Sequence, residues 1–113
     1  MPPWRSLPAY EKAVFLLQVA ARLDRLGDYG GSQAAKYWAT KGLDDLQHAR
    51  LRREELSELA GQGVVTRLRE VAAWLWEPEN ERTLFAGLLR DACYELAQLT
   101  DREHRYRREG RER

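Results

Sequence analysis

Residues 27–43 read Gly-Asp-Tyr-Gly-Gly-Ser-Gln-Ala-Ala-Lys-Tyr-Trp-Ala-Thr-Lys-Gly-Leu, and within them one apolar-periodic segment stops and another starts. Gly27, Gly30 and Gly31 can take positive φ without the Cβ clash that other residues meet, so a helix can end and the chain reverse within a few residues. Ser32 then offers its hydroxyl to the unpaired amides of a following helix. The corner predicts helix, tight turn, helix, and the flanking sequence extends that pattern in both directions.

Upstream, Ser6 is placed to cap a first helix with Pro8 in its opening turn, and the helix is expected to run to about Leu26. Tyr10, Ala13, Val14, Leu17, Ala20 and Leu23 recur at spacings of three and four, and Phe15, Leu16 and Val19 widen that stripe enough for two partners. Downstream, a second helix is expected from Ser32 to about Ala60. It opens with Ala34, Ala35, Trp38, Ala39, Leu43 and Leu46 at helical spacing and becomes charged between Gln47 and Glu55. Gly42 is its weak point, since a glycine inside a helix costs about 1 kcal/mol against alanine.

Gly61-Gln62-Gly63 marks the next corner. Val64, Val65, Leu68, Val71, Ala72 and Leu75 give a third helix ending at Glu77-Pro78. Trp74 and Trp76 lie two residues apart, so about 200° separates them around the axis and at least one faces away from the core. Asn80 is placed to cap a fourth helix carrying Leu84, Phe85, Leu88, Leu89, Ala92, Cys93, Leu96 and Leu99. No alternating β-branched run bounded by turns occurs, so the expected fold is all-α: an antiparallel bundle of four main helices with short connections. Residues 1–113 form a single helical domain in this reading, with 1–6 a short lead and 102–113 a basic, partly frayed tail.

The chain has 113 residues, 43% hydrophobic and 33% charged, with a formal net charge of +1. That is a globular balance, and its near-neutrality excludes a surface that is one phosphate-binding field. Arginines number 16 against 3 lysines, which favours planar, bidentate contacts to carboxylates or phosphates. Cys93 is alone and is expected to be a reduced, buried thiol. Neither a signal-peptide apolar run nor a membrane-length apolar stretch occurs, so a soluble, cytoplasmic protein is expected.

Chemistry-bearing constellations are few. His48 and His104 lack companions at metal-ligand spacing, no glycine-rich phosphate loop follows a strand, and no serine or cysteine has a nominated base. Glu55 and Glu58 share one helix face, and Asp91 and Glu95 could complete a magnesium site with them. This set resembles the MazG-type nucleotide pyrophosphohydrolases. Those pair Glu-x-x-Glu with Glu-x-x-Asp, however, and here Leu88 stands three residues before Asp91.

Gly27-Asp28-Tyr29, Gly31 and Tyr37-Trp38-Ala39 are similar in spacing to the GDYxG and YYA elements joining the first two helices of HEPN domains, over roughly residues 10 to 46. HEPN domains are small helical proteins of defence and toxin–antitoxin systems that act on or bind RNA. Their catalytic arginine, four to six residues before a histidine, is missing here, so the resemblance implies a noncatalytic member. The order of features also looks like the four-helix accessory proteins of diversity-generating retroelements, which form rings that engage a reverse transcriptase and RNA. Those are strongly basic, unlike this chain.

The function expected from these residues is a noncatalytic accessory or scaffold subunit that self-associates and docks on a protein or nucleoprotein partner; the alternative is metal-dependent nucleotide hydrolysis. No catalytic residue, metal ligand, cofactor or membrane contact is assigned. Trp38, Trp74 and Trp76 are the expected interface residues. RNA or DNA contact is assigned to Arg102, Arg105, Tyr106, Arg107, Arg108 and Arg111, where arginines contact phosphates and the tyrosine ring can stack on a base.

Overall fold

The structure, a computed structural model, describes residues 2–41, 50–51, 56, 59–80 and 83–111, with side chains as far as 107. Among the described residues a 3-10 turn, Trp4–Ser6, precedes four main helices, α1 (Ala9–Arg25), α2 (Tyr29–Thr40), α3 (Gln62–Leu75) and α4 (Leu84–Arg111), and residues 50 and 51 are also helical. No strand occurs among the described residues, and the all-α class with four main helices is as the periodicity implies. Helix α1 packs on α2, α2 on α4, and α4 on α3, while α1 meets α4 only lightly.

The corner between α1 and α2 closes by backbone bonds. Gly27, at φ +81°, lets its own N–H reach Asp24 O at 3.1 Å and the Asp28 N–H reach Leu23 O at 2.9 Å. These are the paired bonds of a Schellman turn, which needs a left-handed residue at that position. The expected Ser32 cap is corrected: Asp28 caps α2, its Oδ1 accepting the Gly31 N–H at 2.9 Å. A carboxylate on a non-helical residue three before that amide satisfies it first, so the helix begins three residues early and Ser32 is buried within its opening turns.

Two other caps also differ from expectation. Pro8, extended at φ −59° and ψ 152°, precedes α1, while Ser6 Oγ donates to Pro3 O within the 3-10 turn. Thr83 Oγ1 accepts the Ala86 N–H at 3.1 Å at the start of α4. Asn80 is buried and closes the end of α3 instead, its Nδ2 donating to Trp74 O at 3.0 Å. The single long second helix is also corrected. It stops at Thr40, because Lys41 is extended at ψ 117°; Gly42, Leu43 and Leu46 lie outside the described residues.

The core holds Leu16, Leu17, Val19 and Leu23 of α1, the small face Ala34, Ala35 and Ala39 with Trp38 of α2, Leu68, Val71 and Leu75 of α3, and Leu89, Cys93 and Leu96 of α4, with Leu51 also buried. Tyr10, Leu84 and Phe85, placed in apolar stripes by spacing, are exposed at 42%, 75% and 36%. On α4 the buried stripe starts at Ala86, and Leu84 two residues earlier points about 200° away from it. Helix continues through the basic end as far as Arg111.

The lead folds back onto the body. Trp4 is 1% exposed, and its N–H donates to Glu70 Oε2 at 3.0 Å. Arg67 Nη1 donates to the same carboxylate oxygen at 2.8 Å, and Arg67 Nη2 to Pro2 O at 2.8 Å. A buried guanidinium is tolerable only when paired and hydrogen-bonded, and Arg67 meets both conditions while pinning the chain start to α3.

Candidate functional site

Pinning Trp4 places its indole against two others. Trp4 meets Trp74 of α3 edge-on at 5.8 Å between centroids, and Trp74 meets Trp38 of α2 at 5.2 Å and 72°. Such edge-to-face pairs set the electropositive rim of one ring against the negative face of the next. Between these rings and α1 opens a cleft of about 230 Å³, lined by all three tryptophans and by Lys12, Lys41 and Asn80, with alanines and Leu16 completing it.

The two lysines sit over the aromatic faces. Lys41 Nζ lies 4.4 Å from the centroid of Trp38, and Lys12 Nζ lies 6.0 Å from those of both Trp4 and Trp74. Lys12 Nζ also donates to Arg5 O at 3.4 Å. Trp4 Nε1 and Trp38 Nε1 are buried and have no hydrogen-bond acceptor among the described residues. Leaving such a donor unpaired costs about 1–3 kcal/mol.

Of the expected interface residues, Trp38 is 4% exposed and Trp74 is half-buried, both within the chain's own aromatic cluster, whereas Trp76 is 51% exposed. The Arg90 guanidinium lies 3.9 Å from the Trp76 centroid. A separate seam forms where Tyr37 of α2 stacks on Phe85 of α4, centroids 4.5 Å apart and planes 17° apart.

At the far end of α4, Arg102, Arg105, Tyr106 and Arg107 are exposed; Arg108 and Arg111 belong to the helix, and their side chains lie outside the described residues. Arg105 pairs with Asp101 one turn back at 3.3 Å, and Glu103 pairs with Arg22 of α1, fastening the helix end to the body. Asp91 and Glu95 are exposed on α4, with Asp91 Oδ1 3.8 Å from Arg90 Nε. Glu55, Glu58 and His48 lie outside the described residues, among which no group of three or more histidine, cysteine or acidic side chains could hold a metal ion. Burial pushes the Cys93 thiol up to about 12, so it is no nucleophile at neutral pH.

Periodicity and motif spacing assign no functional role to Trp4, Lys12, Lys41 or Asn80. The available signal was Trp4 itself, a large ring in a Pro-flanked lead where a solvated tryptophan would be unusual. Lys12 had none, because the Trp4 and Trp74 rings beside it come from the lead and from α3, whereas Lys41 covers the Trp38 ring three residues before it, a spacing visible in the sequence. Among the described residues no helix is long and apolar enough to cross a membrane. Comparison with known protein families, with curated proteins and with solved structures finds no match to this chain.

A polar cluster fastens α1 to α2 beside the corner. Lys36 Nζ donates to Asp24 Oδ2 at 3.3 Å, and Ser32 is buried alongside. Ser32 Oγ makes no hydrogen bond of full geometry, yet its hydroxyl is the largest influence holding the Asp24 carboxyl below its ordinary 3.8, ahead of Lys36 and against the opposing effect of burial. A carboxyl lowered on folding contributes stability above its unfolded pKa and loses it as pH falls through the folded value. Asp24→Asn should therefore lower the thermal midpoint at pH 7, and the difference from the parent should close as the pH drops below about 3.8. A gap of equal size at both ends of that titration, followed by circular dichroism, would show that Asp24 plays no such part.

Proposed function

We propose that this chain is a noncatalytic helical accessory subunit that associates with a second copy of itself and presents a basic helix end to a nucleoprotein partner. The observation that carries the association is the set of large apolar side chains left open on so small a chain: Trp76 at 51%, Leu84 at 75%, and the Tyr37–Phe85 stack at 40% and 36%. Such rings are enriched where proteins bind, and Arg90 over Trp76 adds a guanidinium of the type found at association hot spots. The position of Gly27 and Asp28 between α1 and α2, with Tyr29 opening α2, supports the HEPN-like part of this reading, as a fold without nuclease residues.

Support for nucleic-acid contact is the continuation of α4 to Arg111, which sets Arg102, Arg105 and Arg107 on a helical support with Tyr106 exposed at 80%. Phosphate contacts of this kind position a partner without reading its sequence.

Sedimentation equilibrium should show a concentration-dependent dimer with a micromolar dissociation constant. The pair Trp76→Ala with Leu84→Glu should weaken it at least about tenfold, or 1.4 kcal/mol, without loss of helix. A strictly monomeric protein, or a dimer indifferent to both changes, contradicts the proposal. For nucleic acid, binding of a single-stranded RNA should fall steeply as salt rises. Arg102→Gln with Arg107→Gln should flatten that slope by about two-thirds of a unit for each phosphate no longer neutralised. An unchanged slope would remove these arginines from the RNA-binding surface.

A further inference from the structure

The tryptophan cleft combines features that no part of the docking reading uses. Its walls supply positive charge, since Lys12 and Lys41 both line it beside the faces of Trp4, Trp38 and Trp74. Among the described residues no acidic side chain lines it, and Glu70, which holds the Trp4 backbone, is already engaged by Arg67. Clusters of tryptophan ordinarily attract cations to their faces. Here the chain's own lysines lie over those faces, at 4.4 Å from Trp38 and 6.0 Å from Trp4 and Trp74, so a second cation would be repelled. An anion would instead be attracted by both ammonium groups.

The dimensions set the rest of the ligand. A cavity of about 150 Å³ accepts benzene, and this cleft, at about 230 Å³, has room for one ring with a short acidic arm. Apart from Asn80, the remaining described lining is apolar, with Ala9, Ala13 and Leu16 beside the rings. We infer that the cleft between Trp4, Trp38 and Trp74 is a binding site for a small aromatic carboxylate, its ring held among the indoles and its carboxylate received by Lys12 and Lys41. This site is independent of the self-association face, because Trp76, Leu84 and Phe85 do not line it.

The test uses three probes with the same phenyl body: phenylacetate, neutral phenylacetamide and cationic phenethylammonium. Phenylacetate should bind saturably with a dissociation constant at or below about 1 mM, at least about tenfold tighter than the amide, and the ammonium compound should bind more weakly still. The indole resonances of Trp4, Trp38 and Trp74, assigned with single Trp→Phe variants, should shift as an aromatic ring enters beside them, while that of Trp76 stays in place. Lys12→Gln with Lys41→Gln, both outside the packed core, should weaken phenylacetate at least about tenfold and leave the dimer constant unchanged. The inference is overturned if no probe saturates, if the amide or the ammonium compound binds as well as the acid, if the lysine changes have no effect, or if only the Trp76 resonance responds.

Discussion

Gly31 sits where α2 crosses α4, and a Cβ built there would stand 2.8 Å from Ala92 Cβ and 2.6 Å from the Asp28 carboxylate that caps its own helix. No real side chain tolerates such distances, so the close approach of the two helices depends on a missing methyl group. Glycine in a helix sacrifices roughly 0.5–1 kcal/mol relative to alanine, and here that loss is offset by what the approach permits. Ala34, Ala35 and Ala39 continue the same small-residue face along α2, all of them fully or almost fully buried. Further along, Tyr37 reaches Phe85, so residue numbers rise on α2 as they fall on α4, and the two helices run in opposite senses.

That crossing sets the position of everything at the other end of α2. Trp38 is carried to the edge of the core, where α3 brings Trp74 against it and the lead brings Trp4 against Trp74. Because α1 packs on α2 and touches α4 only lightly, the space beside α1 at this end is closed by the lead and its tryptophan. The Arg67–Glu70 pair is what makes the lead a fixed part of the wall. Cleft and seam thus share one geometric origin, although their residues come from five separate stretches of sequence, the lead and all four helices.

Much of the helical layout was legible in the chain itself. The Gly27 turn, the glycine corner before α3 and the apolar spacing in α1, α3 and α4 placed the elements within a few residues, because local backbone chemistry and 3.6-residue periodicity act over short range. The opposite facing of Trp74 and Trp76 followed from helix geometry alone. Caps were misplaced where two polar residues competed: Asp28 against Ser32, and Thr83 against Asn80. Spacing cannot rank such competitors, since the winner is decided by backbone angles at the helix start. Tyr10, Leu84 and Phe85 were given to the core because periodicity identifies a stripe without fixing where the neighbouring helix ends. The cleft was illegible for a further reason. Lys12, Trp38 and Trp74 are ordinary residues of three amphipathic helices, and only tertiary packing makes them face one another.

A double-mutant cycle on Gly31 and Ala92, read by denaturant unfolding, measures the crossing directly. Gly31→Ala alone should destabilise by about 1–3 kcal/mol through overpacking, despite the gain in helix propensity. In the Ala92→Gly background the same change should cost less by at least about 0.5 kcal/mol, since the methyl it strikes is gone. A neutral or stabilising Gly31→Ala, or strict additivity of the two changes, would contradict the claim that this contact sets the spacing of the helices.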